Sequence, residues 1–121
     1  MSFEILNKLA FAVTAALCVV LLFAPSIVYW LFSIEASEAA DFIARRTAML
    51  FAGLSVLTLI TSETDSDEVR QAVSLSLAIA MSGLAVLGVV ELLRGAAGFG
   101  ILLAVAAELF FAFYYLRFWR D

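Results

Sequence analysis

Four stretches of this chain, at about residues 6–24, 41–62, 67–93 and 97–119, are each long enough and apolar enough to cross a lipid bilayer. A helix rises about 1.5 Å per residue and the hydrocarbon layer is about 30 Å thick, so about 20 mostly apolar residues suffice for one crossing. The composition agrees: 65% of the residues are hydrophobic and 15% charged. A soluble domain of 121 residues has too much surface for its volume to hide that much apolar area from water. The expected fold is therefore all-α, an integral membrane antiparallel four-helix bundle in one domain spanning 1–121.

The punctuation between the stretches is chemical. Pro25, the only proline, lacks an N–H and clashes with the preceding turn, so the first helix should be interrupted there, with 26–32 continuing as an interfacial segment. Tyr29 and Trp30 suit that depth. TSETDSDE (61–68) is acidic and cap-forming and places a helix start at Ser66 or Asp67. RGAAGFG (94–100) reads as a tight turn, and FFAFYYLRFWR (110–120) as an aromatic belt closed by snorkelling arginines. LLFAPS puts Leu22, and AALC puts Leu17, where a cleavage site wants a small residue, so the first span is expected to be retained.

An even number of spans brings both ends to one side, together with Lys8, Arg70, Arg117 and Arg120, against Arg45, Arg46 and Arg94 on the other. The count places both termini in the cytoplasm. The acids cluster in 35–41 and 63–68, and no basic patch invites nucleic acid. The single cysteine, Cys18, excludes an intrachain disulfide.

Helices in lipid associate through close packing of small residues and a few polar contacts. The predicted seams are Ala12 and Ala16 on the first span, Ala48, Ala52 and Ser55 on the second, Ser74, Ala78, Ser82 and Ala85 on the third, and Gly100, Ala104 and Ala107 on the fourth. Each set keeps the three-or-four spacing of one helix face.

Charges at membrane depth are costly, so each calls for a partner or a function. Arg45 and Arg46 lie about one turn into the second span, and Glu91 lies near the end of the third at a matching depth. An ion pair from Glu91 to one arginine should fasten those helices. The other arginine, about 100° away, should reach headgroups or the loop acids Glu35, Glu38 and Asp41. Glu108 falls near mid-membrane with no arginine at its level. It is expected either to bond a hydroxyl such as Ser55, Thr58 or Ser82, or to line a wet cavity and exchange protons. Ser55, Thr58, Ser82 and Glu108 thus form the candidate proton or substrate site.

No catalytic constellation, metal site or cofactor is expected. There is no histidine, hence no haem or metal centre of the usual kind, and no supported nucleophile. GAAGFG (95–100) follows a membrane helix instead of a strand and is no phosphate loop.

A proline closing span one, ARRTAMLFAGLSVL (44–57) opening span two, AIAMSGLAVLGVVELLRG (78–95) in span three and an aromatic fourth span carrying an acid together resemble the DoxX-like group of small four-span bacterial membrane proteins. The resemblance runs from about Pro25 onward. It implies a four-helix bundle in a bacterial inner membrane, with some relatives thought to be membrane partners of oxidoreductases or accessory subunits. Two functions remain open: a non-catalytic accessory subunit, as a homo-oligomer or in a larger complex in the lipid bilayer, or an oligomeric proton-coupled transporter or channel using Glu108. A lipid- or quinone-handling enzyme is a distant third.

Overall fold

A computed structural model describes all 121 residues. Five helices follow one another: α1 (Phe3–Phe23), α2 (Pro25–Phe32), α3 (Glu38–Ile60), α4 (Asp67–Leu93) and α5 (Ile101–Arg120), with no strand. Of these, α1, α3, α4 and α5 are long and apolar enough to span a membrane.

Serine hydroxyls start three of the spans. Ser2 accepts from the Ile5 N–H at 3.2 Å, Ser37 from Ala40 at 3.0 Å and Ser66 from Val69 at 3.2 Å. Each is followed by acid in the first turn: Glu4; Glu38 and Asp41; Asp67 and Glu68. The hydroxyl satisfies an otherwise orphaned N–H, and the carboxylates sit at the positive end of the helix dipole. Pro25 divides the first helix as expected: α1 stops at Phe23, Ala24 turns the chain, and Pro25 occupies the first turn of α2, where a missing N–H costs nothing.

The second span, α3, begins at Glu38, three residues before its predicted start, because the cap lies at Ser37. The fourth begins at 101 instead of 97. Gly95 takes a left-handed φ of 77°, its N–H donates to the Leu92 carbonyl and that of Ala96 to Glu91. This Schellman closure ends α4 and postpones α5. The turn then packs against α2: the Gly98 N–H donates to the Phe32 carbonyl at 2.7 Å, and a side chain on Gly98 or Gly100 would collide with Ser33 or the Leu31 carbonyl. The short helix α2 is thereby bound to the α4–α5 turn.

The spans associate as two antiparallel pairs, α1 with α3 and α4 with α5. Near the chain ends a core joins Phe3, Leu6 and Ala10 of α1 to Val73, Leu77, Ala78 and Met81 of α4 and to Phe111, Ala112 and Tyr115 of α5, with Leu54 of α3 against it. Phe3 meets Tyr115 and Phe118 edge-on, with ring centroids 6.5 and 5.7 Å away. At the opposite end Leu21, Tyr29, Ala44 and Ala48 tie α1 and α2 to α3.

Part of the predicted seam pattern is corrected. Ala48, Ser55, Ser74, Ala78 and Ala85 are buried, whereas Ala12, Ala16, Ser82 and Ala107 are exposed. The faces actually packed are Phe3, Asn7, Ala10, Thr14 and Leu21 on α1 and Val105, Phe111, Ala112 and Tyr115 on α5. A helix that is apolar all round has no amphipathic signal to choose between its faces, so small residues alone do not orient it. On α4 the close approach to α5 falls at Gly88, where an added methyl would come 2.7 Å from Val105 Cγ2. Gly88→Ala is expected to lower stability in detergent by about 1–3 kcal/mol through overpacking. Gly83→Ala, with nothing within 4 Å, should be neutral or slightly stabilising. Thermal unfolding of the two proteins side by side checks this.

Candidate functional site

Three polar groupings lie within or beside the spans. The first joins three helices near the chain ends. Asn7 of α1 donates from Nδ2 to the Thr58 carbonyl at 3.0 Å and to Thr61 Oγ1 at 3.1 Å. The Tyr115 hydroxyl of α5 donates to Asn7 Oδ1 at 2.7 Å. Asn7, Thr58 and Tyr115 have no exposed surface, so both amide donors and the amide acceptor are used in a dry setting. This junction sets the register of α1 against both α3 and α5. Ser74 of α4 is equally buried, and its Oγ has no partner. Sequence reasoning missed Asn7 and placed Tyr115 in an aromatic belt; the available signal was an amide in the second turn of the first span.

The second grouping centres on Glu108. It lies on the packed stripe of α5, three residues past Val105 and three before Phe111, and is partly buried. Its Oε2 is fully covered and has no hydrogen-bond partner. None of the three expected hydroxyls reaches it. Ser55 donates to the Ala52 carbonyl at 2.8 Å, Thr58 to Leu54 at 2.9 Å and Ser55 at 3.1 Å, and Ser82 faces outward. The Asn7–Tyr115 bond points to another hydroxyl. Seven residues further along α1 from Asn7 is Thr14, and seven residues back along α5 from Tyr115 is Glu108. Both steps cover about 10.5 Å, so the two residues share a level. Thr14 is buried and donates to the Ala10 carbonyl at 2.7 Å, which leaves its oxygen free to accept.

The third grouping is at the opposite end. Glu91 pairs with Arg94 at 3.4 Å, three residues on in the same chain segment, and neither Arg45 nor Arg46 takes part in an ion pair. The structure does not bring Arg45, Arg46 and Glu91 together. Equal depth did not make them neighbours, because α3 packs on α1 and α4 on α5. Instead the Tyr29 hydroxyl of α2 donates to Asp41 at 3.0 Å. Arg45 opens onto a shallow groove with Glu38, Asp41 and Phe42, and the Arg46 guanidinium lies over the Phe42 ring at 5.7 Å.

No protein-family model, curated protein or solved structure matches the chain. Its four long apolar helices and the packing between them make it a multi-pass, all-helical membrane protein.

Proposed function

We propose that the chain is a non-catalytic subunit that docks through its helix faces within a membrane assembly, in a bacterial inner membrane with both termini cytoplasmic. The observation that carries this reading is a vacant notch on α4. Ile79, Gly83, Val86 and Val90 follow one another at helical spacing and all face outward, with nothing within 4 Å of the position a Gly83 side chain would take. Inside the bundle the same device is filled, Val105 of α5 seating against Gly88. A glycine flanked by branched side chains gains little from lipid tails, which fill a notch poorly, and much from another helix. Ala12 and Ala16 on α1 and Ala106 and Ala107 on α5 add further small, outward positions. The DoxX-like resemblance belongs to the same proposal, since some of that group are thought to serve as membrane partners.

The test is Gly83→Leu, read by native mass spectrometry of extracts made from native membranes in mild detergent. The expected result is a smaller assembly with unchanged thermal stability of the bundle. An assembly of unchanged mass, or a wild-type chain that is already a lone monomer, removes the reading.

One observation favours a second reading, proton-coupled transport by an oligomer: the covered, unpartnered Oε2 of Glu108. An acid within a membrane span and without a neighbouring cation suits such a role.

A further inference from the structure

We infer that Arg46 binds the phosphate of a membrane phospholipid on the outward face of α3, with Phe42 as the platform for its guanidinium. The neighbours of Arg46 one turn away on either side are Phe42, Ile43, Met49 and Leu50, which are 55%, 59%, 61% and 72% exposed. In a chain that spans the membrane, a face this apolar and this open is turned to lipid. A cation on a lipid-facing surface is costly unless it meets an anion or reaches the headgroup layer. The protein supplies none: Arg46 is exposed, makes no ion pair and has no carboxylate at the four neighbouring positions of its face.

Depth and direction agree. Asp41 is held to Tyr29 of the interfacial helix, and Trp30 beside it is 80% exposed, as an aromatic at headgroup level would be. Arg46 lies five residues further in, about 7.5 Å. Helix side chains lean toward the N-terminus, and the guanidinium does so, reaching back over the Phe42 ring at 5.7 Å. Resting on the ring face, it keeps its N–H groups, none of them bonded within the protein, for a phosphate, whose oxygens suit a two-pronged donor. The adjacent Arg45 is not equivalent. It opens onto the groove lined by Glu38 and Asp41, and those carboxylates would repel a phosphate.

Solid-state NMR of the full chain, labelled with ¹³C at arginine Cζ and reconstituted in phosphatidylglycerol bilayers in phosphate-free buffer, tests this through Cζ–³¹P dipolar dephasing. The expected result is a dephased Cζ resonance present in the wild type and in Arg45→Gln and absent in Arg46→Gln, with correct folding of each variant read from its circular dichroism and cooperative thermal unfolding. Loss of that particular resonance's dephasing in Arg45→Gln, its persistence in Arg46→Gln, or its need for added inorganic phosphate overturns the assignment, as does an Arg46 Cζ that never dephases. Because the readout is a distance to lipid phosphorus, it does not depend on whether α4 docks a partner.

Discussion

Asn7→Ala is expected to destabilise the protein by about 2–4 kcal/mol, combining lost bonds, a small cavity and a stranded hydroxyl. A single interhelical hydrogen bond within a membrane averages only about 0.6 kcal/mol, since the unfolded chain in lipid also finds partners. Asn7 is different because it is the shared member of three bonds to two other helices. Its removal leaves the Tyr115 hydroxyl, which has no exposed surface, with no acceptor and no water to replace it. Tyr115→Phe removes one bond and keeps the ring packed on Phe3 and Phe111, so its cost should be about 1–2 kcal/mol. In the double variant the stranded hydroxyl is gone, and the combined loss should fall short of the sum by about 0.5–2 kcal/mol. Unfolding in mixed micelles, followed by tryptophan fluorescence and circular dichroism, measures all four corners. An Asn7→Ala protein within about 0.5 kcal/mol of the wild type, or strict additivity, would show that the amide does not join the three helices.

Hydropathy alone decides which segments lie in lipid, so the spans and the even crossing number were readable from the chain. Pro25 and Ser66 were readable because each acts on its own local backbone: one cannot continue a helix, the other caps the next. What was not readable depends on which helix lies beside which. Glu91 and the paired arginines have matching depths, yet α3 turns to α1, and Glu91 is left with Arg94 in its own segment. Ser82 keeps the same spacing as Ser74 and Ala78 but drifts off the seam, which passes through Met81 and Ala85. Asn7 and Tyr115 are 108 positions apart and uncharged, so nothing local links them. The contact of Gly98 and Gly100 with the end of α2 is likewise a meeting of backbones, visible only once the chain has folded. Glu108 shows both sides of this: its want of a cation was legible, while the failure of Ser55, Thr58 and Ser82 to reach it was not.

For Glu108 the expected result is a gain in stability when the acid is removed. Glu108→Leu should raise unfolding free energy by about 1–3 kcal/mol, because a covered oxygen with no partner carries its desolvation penalty unrelieved. Leucine fills similar volume and suits neighbours such as Val105 and Phe111. Glu108→Gln keeps size and polarity and should lie close to the wild type, so the pair of variants separates the cost of the polar oxygen from the shape of the side chain. A marked loss of stability in Glu108→Leu would mean that the carboxyl is bonded in the folded protein, with Thr14 at the same level as the first partner to examine. A group that weakens the fold and is nevertheless present fits a function that needs it. Proton flux into liposomes tests that function directly. Under the transport reading the wild type conducts and Glu108→Gln, which cannot release a proton, does not. Equal flux in both, or none in the wild type, removes the transport reading.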